Sequence, residues 1–143
     1  MRLVYDVAHN IAKIEEHTWE GKKMKLCVHR KGATRAFPAG HPDVPAQYAQ
    51  IGQPVLIPGS MGTASYVVSG LGNPVSLNSS PHGAGRALSR TKARKAYTQD
   101  QLREAMVGIE YRDTDAFVDE IPQAYKDIDV VMSDQRDLVT IEH

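Results

Sequence analysis

The sequence predicts an α+β fold in which short strands pack under helices. The first half of the chain contains short runs rich in valine, leucine and isoleucine, bounded by glycine, proline or charge, as is typical of strands. The second half contains a helix-capping motif and an apolar pattern with three- and four-residue steps, as is typical of helices. The 143 residues, 41% of them hydrophobic, are enough for one domain with its own core.

Three segments are predicted to be strands: LVYDVAH (residues 3–9), KMKLCVHR (23–30) and PVLIPGS (54–60). The segment AFPAGHPDVP (36–45) contains three prolines and a glycine. Because proline removes a backbone donor and fixes φ, this segment is predicted to be an extended loop, with some helical turn over residues 45–50.

Two helices are predicted in the second half. In TQDQLREAM, Thr98 can cap the amide of Gln101 while the Gln101 side chain reaches back, and apolar residues follow, which predicts a short helix. The last segment, residues 124–143, is predicted to form an amphipathic helix because its apolar residues recur at helical steps. These residues are Ile128, Val131, Met132, Leu138 and Ile141.

The charges cancel overall but are unevenly distributed. The 17 basic and 17 acidic side chains give a formal charge of zero, so a long-range positive field cannot attract a polyanion. Residues 84–103 nevertheless contain six arginines and lysines and one acid, Asp100. Phosphate binding is therefore expected to be local to this segment, and a solvated helix face is the alternative.

The chain is expected to be a soluble, cytoplasmic protein without membrane contact. Cys27 is the only cysteine, which excludes an internal disulfide and fits a reducing compartment. The sequence has no run of about 18 apolar residues, and its first residues lack the apolar region of a signal peptide.

The stretch SSPHGAGRALSR (79–90) is the strongest candidate for a catalytic site. His82 lies at a predicted turn, and a largely neutral imidazole can attack phosphorus directly if its second nitrogen is oriented by a partner. The backbone of Gly83, Ala84 and Gly85 can approach phosphate oxygens. Arg86 and Arg90, spaced one helical turn apart, can bind the same anion. The alternative is a surface turn before an ordinary basic helix.

The stretch PGSMGTASY (58–66) is a second candidate, for nucleotide binding. Its glycines and hydroxyl residues directly follow a predicted strand, so amides and hydroxyls can hold a base or phosphate. It lacks the GKS or GKT ending of a Walker loop and contains no GxGxxG. A tight strand-to-helix turn is the alternative.

Two further groups of residues are candidates for metal and anion binding. His9 can ligate a metal and Asn10 can bond a base or ribose, although a lone histidine is also typical of a satisfied interior position. In HRKGATRAFPAG (29–40), Lys31 and Arg35 flank Gly32 and can contact an anion, or belong to a charged turn.

Four separated motifs together resemble the C-terminal part of the RtcB family of RNA-splicing ligases. They are DVAHNIAK, HRKGATRAFPAG, PVLIPGSMGTASY and HGAGRALSRTKA, in this order, and the resemblance covers almost the whole chain. It implies part of the RtcB-type fold, in which a mixed, β-rich centre is flanked by helices. It also implies an enzyme that joins RNA ends bearing a 2′,3′-cyclic phosphate or 3′-phosphate to 5′-hydroxyl ends, using GTP and Mn²⁺ through a histidine–GMP intermediate.

The resemblance assigns a role to most of the candidate residues. His82 is expected to be the guanylylated nucleophile, Gly83, Ala84 and Gly85 its phosphate cradle, and His9 a manganese ligand. Arg86 and Arg90 are expected to contact phosphate, either of the nucleotide or of the RNA end. For Lys31 and Arg35 the expected contact with phosphate or RNA comes from the residue pattern around Gly32 and not from the resemblance. The nucleotide is expected to contact Asn10, Pro58, Gly59, Ser60, Met61, Ser65 and Tyr125.

The resemblance also leads to the expectation that residues 1–143 are an incomplete ligase. The N-terminal portion that carries most metal ligands in the family is absent, as is the final tail whose lysine reaches the guanine. Ser80 and Pro81 replace the threonine and cysteine usual before the histidine. The expected partners are RNA, such as tRNA halves or broken RNA ends, the missing N-terminal portion, and an activator of the archease type. A guanine-nucleotide-binding module and a structural remnant, both without ligase activity, are the alternatives.

Overall fold

The structure, a computed structural model, describes Asp6, Ala8 and residues 10–143. These residues form three small antiparallel sheets and several short helices, which confirms the α+β class. No helix among them is both long enough and apolar enough to cross a bilayer.

A hairpin of two ten-residue strands lies near the start of the described part of the chain. Strand β1 (Asn10–Trp19) pairs along its whole length with β2 (Lys22–Lys31), so that Asn10 lies opposite Lys31 at the open end. The connecting residues Glu20 and Gly21 have φ angles of 47° and 76°. Two consecutive positive φ angles define the tight turn that matches strand twist. The predicted strand at 23–30 is confirmed, whereas most of the one at 3–9 lies outside the described residues.

The other strands form two small sheets. In chain order they are β3 (Ala33–Arg35), β4 (Pro54–Pro58), β5 (Ser65–Gly70), β6 (Ser79–Pro81) and β7 (Val139–Ile141). β3 pairs with β6, and β4, β5 and β7 form a sheet in that order. The strand predicted within residues 54–60 is confirmed as β4.

The three α-helices among the described residues have seven residues each, and a short helix after Thr98 was predicted. The α-helices are α1 (Arg90–Ala96), α2 (Gln99–Ala105) and α3 (Ile128–Asp134), and 3₁₀ turns occupy Ala46–Tyr48, Asp115–Glu120 and Pro122–Ala124. The predicted capping box is present, since Thr98 accepts a hydrogen bond from the amide of Gln101 and the Gln101 side chain accepts one from the amide of Thr98. The helical turn expected over residues 45–50 is confirmed.

The predicted helix over residues 124–143 is wrong in its second half. Helix α3 ends at Asp134, and the chain returns as β7 on the edge of the three-stranded sheet. The strand is favoured because it buries Val139, which is 4% exposed, and satisfies the free edge of β5. The steps that place Leu138 and Ile141 on a helical face are therefore coincidental.

Two apolar clusters hold the fold together. The first joins the three-stranded sheet to α3 and contains Ala36, Val55, Ile57, Val68, Ala84, Ile128, Met132 and Val139. The second joins α1 and α2 to the 3₁₀ turns and contains Ala93, Leu102, Met106, Val118, Ile121 and Ala124. The segment 82–88 runs between the two clusters.

Candidate active site

His82 lies at a bend directly after β6. Its ring is half-buried and faces the backbone of Gly32, where a Cβ atom would lie 3.8 Å from both Cδ2 and Nε2 of the imidazole. Gly32 connects β2 to β3 and has a φ of 73°, a conformation that glycine adopts without strain. The pairing of β3 with β6 thus brings the HRKG and HGAG motifs together.

The turn after His82 is fixed to the end of β4. The amide of Ala84 donates a hydrogen bond to the carbonyl oxygen of Pro58 at 2.9 Å. A Cβ on Gly83 would lie 3.1 Å from that same oxygen, so a bare backbone is needed for the approach. Ala84 is 4% exposed and belongs to the first apolar cluster, between the three-stranded sheet and α3, so burial in this sheet cluster also anchors the turn.

The PGSM segment is a strand-to-strand turn between β4 and β5, so the strand-to-helix alternative is wrong. The amide of Gly59 donates to the carbonyl of Ala64 at 3.0 Å. The Thr63 hydroxyl lies 3.0 Å from the Ser60 hydroxyl and accepts from the Ser60 amide at 2.6 Å. The turn's hydroxyls are thus used largely to shape the turn itself.

Two cavities lie near these turns. The larger, of about 550 Å³, is lined by Thr63, Ala64, Pro122, Gln123, Tyr125, Lys126, Asp127, Ile128 and Asp129. The smaller, of about 340 Å³, is lined by Gly32, Pro81, Gly83, Ala84, Gly85, Lys126, Val131, Asp134, Gln135 and Leu138. Lys126 lines both, and its amide donates to the carbonyl of Gly85 at 3.0 Å. Each cavity therefore adjoins residues predicted to bind nucleotide.

Arg86 is tied to its surroundings by all three guanidinium nitrogens. Nε donates to the carbonyl of Leu88 at 3.0 Å, Nη1 to Glu120 at 3.3 Å and to the Tyr125 hydroxyl at 3.2 Å, and Nη2 to the carbonyl of Asp119. The guanidinium also lies 4.9 Å from the centroid of the Tyr125 ring. Arg86 therefore anchors the segment after His82. The predicted contact of Arg86 with phosphate stays a prediction.

Arg90 and Arg94 share the buried carboxylate of Asp119. Arg90 Nη1 lies 2.7 Å from Oδ2, and Arg94 Nη2 lies 2.6 Å from Oδ1. Burial alone would raise the pKa of Asp119, but the Arg90 hydrogen bond and the Arg94 charge outweigh it and hold that pKa below its ordinary value. Arg90 also pairs with Glu120. Arg86 and Arg90 do not share a helical face, because α1 begins only at Arg90.

Glu120 and Tyr125 complete this network. The Tyr125 hydroxyl donates to Glu120 Oε2, the oxygen that also accepts from Arg86. Burial, and next the hydrogen bond to Glu120, raise the pKa of Tyr125 above its ordinary value. Tyr125 therefore stays a neutral donor at one wall of the larger cavity.

The other predicted residues lie at several different places in the fold. Asn10 and Lys31 lie opposite each other at the open end of the hairpin, and Lys31 directly precedes Gly32. The Arg35 guanidinium lies 5.3 Å from the centroid of the Phe37 ring. Met61 packs against the helical cluster, and Ser65 is exposed at the start of β5.

The metal prediction is not tested on the described residues. His9, the predicted manganese ligand, lies outside them. Within Asp6, Ala8 and residues 10–143, no group of three histidine, cysteine, aspartate or glutamate side chains could hold a metal ion. These residues alone therefore do not fit a bound manganese.

Sequence reasoning missed the carboxylates that oppose the basic segment. Asp119 is fully buried and Glu120 is half-buried, and together they contact Arg86, Arg90 and Arg94. The signal was the charge pattern, since a basic segment is followed by an acidic one. Pairing the two was not possible without knowing that the 3₁₀ turn Asp115–Glu120 packs on α1.

Comparison with known proteins identifies the family. The family described as tRNA-splicing ligase RtcB matches residues 1–143. Proteins named tRNA-splicing ligase RtcB include one from Thermococcus kodakarensis, 58% identical over 138 residues, and one from Aeropyrum pernix, 54% identical over 136 residues. Both alignments cover 92% of this chain but only 29% and 28% of those relatives, so the chain spans less than a third of their length. The chain belongs to the RtcB family of tRNA-splicing ligases.

Proposed function

We propose that this chain contributes the nucleotide-binding and guanylylated part of an RNA ligase. The ligase joins RNA ends bearing a 2′,3′-cyclic phosphate or 3′-phosphate to 5′-hydroxyl ends, with GTP and Mn²⁺, through a histidine–GMP intermediate. Relatives that match over 92% of the chain are named tRNA-splicing ligases, which supports the reaction class. The activity belongs to the whole ligase, of which the chain spans a fraction.

The observation that carries the proposal is the anchoring of the His82 turn to Pro58. The hydrogen bond from Ala84 to Pro58 joins a histidine-bearing turn to a glycine- and hydroxyl-rich turn, with cavities beside both. A nucleophile needs this arrangement, because the reacting atom must be held close to the phosphorus it attacks.

The proposed chemistry proceeds in three steps from a 3′-phosphate end. A 2′,3′-cyclic phosphate is opened beforehand: water adds to the phosphorus, the P–O2′ bond breaks, and a 3′-phosphate and a 2′-hydroxyl result. One imidazole nitrogen of His82 attacks the α-phosphorus of GTP, a P–N bond forms and pyrophosphate leaves. The RNA 3′-phosphate then attacks this phosphorus, the P–N bond breaks and GMP caps the RNA end. The 5′-hydroxyl attacks the 3′-phosphorus, a phosphodiester forms, and GMP leaves. The cap supplies the leaving group that a bare phosphate lacks.

The residues around the two turns have proposed roles in binding the nucleotide. The larger cavity, with Tyr125 at its wall, accommodates the guanosine beside the PGSM turn and Ser65. The Ala84 amide is bonded to Pro58, so the amides of Gly83 and Gly85 are the ones proposed to face phosphate, and Gly85 has a φ of 73° that favours such a turn. Asn10 and Lys31, at the open end of the hairpin, approach the phosphates from the other side.

We propose that manganese is held jointly with the N-terminal portion that the family resemblance implies, with His9 as this chain's ligand. The described residues offer no three-ligand group of their own, so the chain is expected to be inactive alone. Bound manganese would neutralise charge on phosphate oxygens. The further proposed partners are RNA and an archease-type activator.

A complementation assay tests the proposal. The chain is mixed with the separately produced N-terminal portion of a relative, GTP, Mn²⁺ and two RNA fragments with 3′-phosphate and 5′-hydroxyl ends. We expect joined RNA only in the complete mixture and none with His82→Ala. His41→Ala is the matched control, since His41 stacks on Phe37 with ring centroids 3.8 Å apart, outside the site. Joining by the His82→Ala chain would refute the proposal.

Guanine-nucleotide binding without ligation is the second candidate. Two observations favour it. The described residues form a cavity beside the PGSM turn, and they contain no group of three side chains that could hold a metal ion. This second candidate predicts that the chain binds GTP but that no complement restores joining. A titration with GTP, followed by the complementation assay, separates the two functions.

A further inference from the structure

Arg90 and Arg94 are each held from one side only. Both contacts of Arg90 use Nη1, and both contacts of Arg94, to Asp119 and to the carbonyl of Ala116, use Nη2. A guanidinium has five N–H donors on three nitrogens, so each arginine keeps two nitrogens for an external acceptor. The side chains are 66% and 52% exposed, which leaves those donors accessible.

The buried carboxylate orients the pair in advance. Asp119 is fully buried and contacts both guanidiniums, so each is fixed before any ligand arrives. A fixed guanidinium loses less side-chain entropy on binding than a free one. Arg86 differs, since all three of its nitrogens are already engaged. The two arginines with nitrogens available for an anion are therefore Arg90 and Arg94. The sequence pattern indicated Arg86 and Arg90, a pair that begins four residues earlier.

A cavity of about 290 Å³ opens beside Arg94. It is lined by Arg94, Tyr97, Gln99, Asp115 and Val118. Tyr97 is half-buried and provides a ring, Val118 an apolar floor, and Gln99 and Asp115 polar edges. An aromatic ring, an apolar surface and a few hydrogen-bonding groups are the features that receive a flat, polar-edged base.

The local charge favours a polyanion despite the neutral total. Arg86, Arg90 and Arg94 are balanced by Asp119, Glu120 and the Asp115 carboxylate at the cavity edge, so the net positive charge comes from two lysines. These are Lys92 and Lys95 of α1, which are exposed beside the arginines. The row formed by Arg90 and Arg94 continues from Arg86, which follows the His82 turn directly, so it leads away from the proposed reaction centre.

We propose that single-stranded RNA lies along this row, with Arg90 and Arg94 binding successive phosphates and one base stacking on Tyr97 in the cavity. The inference rests on the proposed function and extends it by naming where the substrate strand runs outside the nucleotide site. Because stacking accepts any base, this subsite adds affinity with little sequence preference.

The test measures binding of a short, fluorescently labelled, single-stranded RNA to the full chain by anisotropy, between about 50 and 200 mM salt. Arg94→Gln should weaken binding about tenfold and reduce the slope of log affinity against log salt by about 0.7, the loss of one phosphate contact. Tyr97→Leu should weaken binding about tenfold at an unchanged slope, because it removes stacking and no charge. Tyr97→Phe should restore the affinity, since the ring remains.

Arg112→Gln is the matched control, because it removes one exposed positive charge outside the network and should change binding less than about twofold. Thermal melts identify variants that fail to fold. If Arg94→Gln is one of them, Arg94→Met, which also removes the charge but keeps an aliphatic side chain, replaces it. RNA carrying 5-iodouridine should photocrosslink to Tyr97.

Equal weakening by Arg94→Gln and Arg112→Gln, no effect of Tyr97→Leu, or no RNA binding by the unaltered chain would each overturn the inference. If inorganic polyphosphate displaced the labelled RNA as well as unlabelled RNA of equal charge does, the proposed stacking of a base on Tyr97 would be overturned. Guanylylation of His82, measured without RNA, reports separately on the proposed function, so the two can fail independently.

Discussion

The amide of Ala84 donates a hydrogen bond of 2.9 Å to the carbonyl oxygen of Pro58. Twenty-six positions apart in sequence, these two residues join the turn that carries His82 to the turn that ends β4. Because Ala84 is also buried in the sheet cluster, the position of His82 depends on the core and not on a mobile loop. The predictions below test this arrangement and the networks that support it.

Gly83→Ala should disturb the anchored turn. The new Cβ would lie 3.1 Å from the Pro58 oxygen, so the Ala84–Pro58 hydrogen bond must stretch, at a cost of about 1–2 kcal/mol in unfolding free energy. GTP affinity, measured by calorimetric titration, should fall as well. Gly21→Ala is the control: it strains a positive φ at the far end of the hairpin, costs about 1 kcal/mol, and should leave GTP affinity unchanged. Equal GTP affinities in the two variants would contradict the prediction.

Asp119→Asn should weaken the attachment of α1 to the 3₁₀ turn Asp115–Glu120. The buried carboxylate holds Arg90 and Arg94, and a neutral amide cannot pair with both. We expect a loss of about 1–2 kcal/mol, less than for a fully desolvated pair because both arginines are more than half exposed. Denaturant unfolding measures the change. Asp100→Asn, which removes a carboxylate that is 90% exposed, should have no measurable effect, and similar losses in both variants would count against the network.

Glu15 should make the stability of the hairpin depend on pH. Its carboxylate accepts two 2.8 Å hydrogen bonds from Arg30, which is 2% exposed, and one of 3.1 Å from His17. Burial would raise the pKa of Glu15, but the hydrogen bonds from Arg30 and His17 outweigh burial and lower that pKa below 4.5. A lowered pKa means that this stabilisation is complete above about pH 4.5 and is lost as the pH falls through the folded-state value.

Glu15→Gln measures the same interaction at neutral pH. The substitution leaves the buried Arg30 guanidinium without its charged partner, and we expect a loss of about 3 kcal/mol in urea unfolding. The unfolding free energy of the Glu15→Gln variant should also change less than that of the unaltered protein between about pH 5 and 3. Glu16→Gln, on the exposed face of β1, serves as the control. An unchanged acid profile in Glu15→Gln would show that other groups cause the pH dependence.

Much of the fold could be predicted from local signals. The capping box at Thr98 defines the start of α2, and the prolines of 36–45 define a loop, because both act through the nearest backbone groups. The hairpin was missed because its strands are rich in lysine and glutamate and because its turn, Glu20–Gly21, lacks the usual asparagine or aspartate. The strand β7 was missed because its pairing with β5 is a long-range contact.

The candidate site was predictable in its motifs but not in its contacts. The sequence locates His82 and its glycines, since a turn before a basic segment is a local pattern. It could not show that Gly32 and Pro58 adjoin that turn, or that Arg86 forms an ion pair with a carboxylate, because these contacts join distant segments. The helical spacing assumed for Arg86 and Arg90 fails because α1 starts only at Arg90, directly after its Ser89 cap.

The most direct test of the central claim is to locate the guanylate on the protein. The chain is incubated with GTP labelled at the α-phosphate and Mn²⁺, with and without the N-terminal portion of a relative, and the labelled residue is identified by mass spectrometry under alkaline conditions. We predict an acid-labile label on His82 only in the complemented sample, and none with His82→Ala. Label on another residue, label that survives His82→Ala, or no label after complementation would contradict the account.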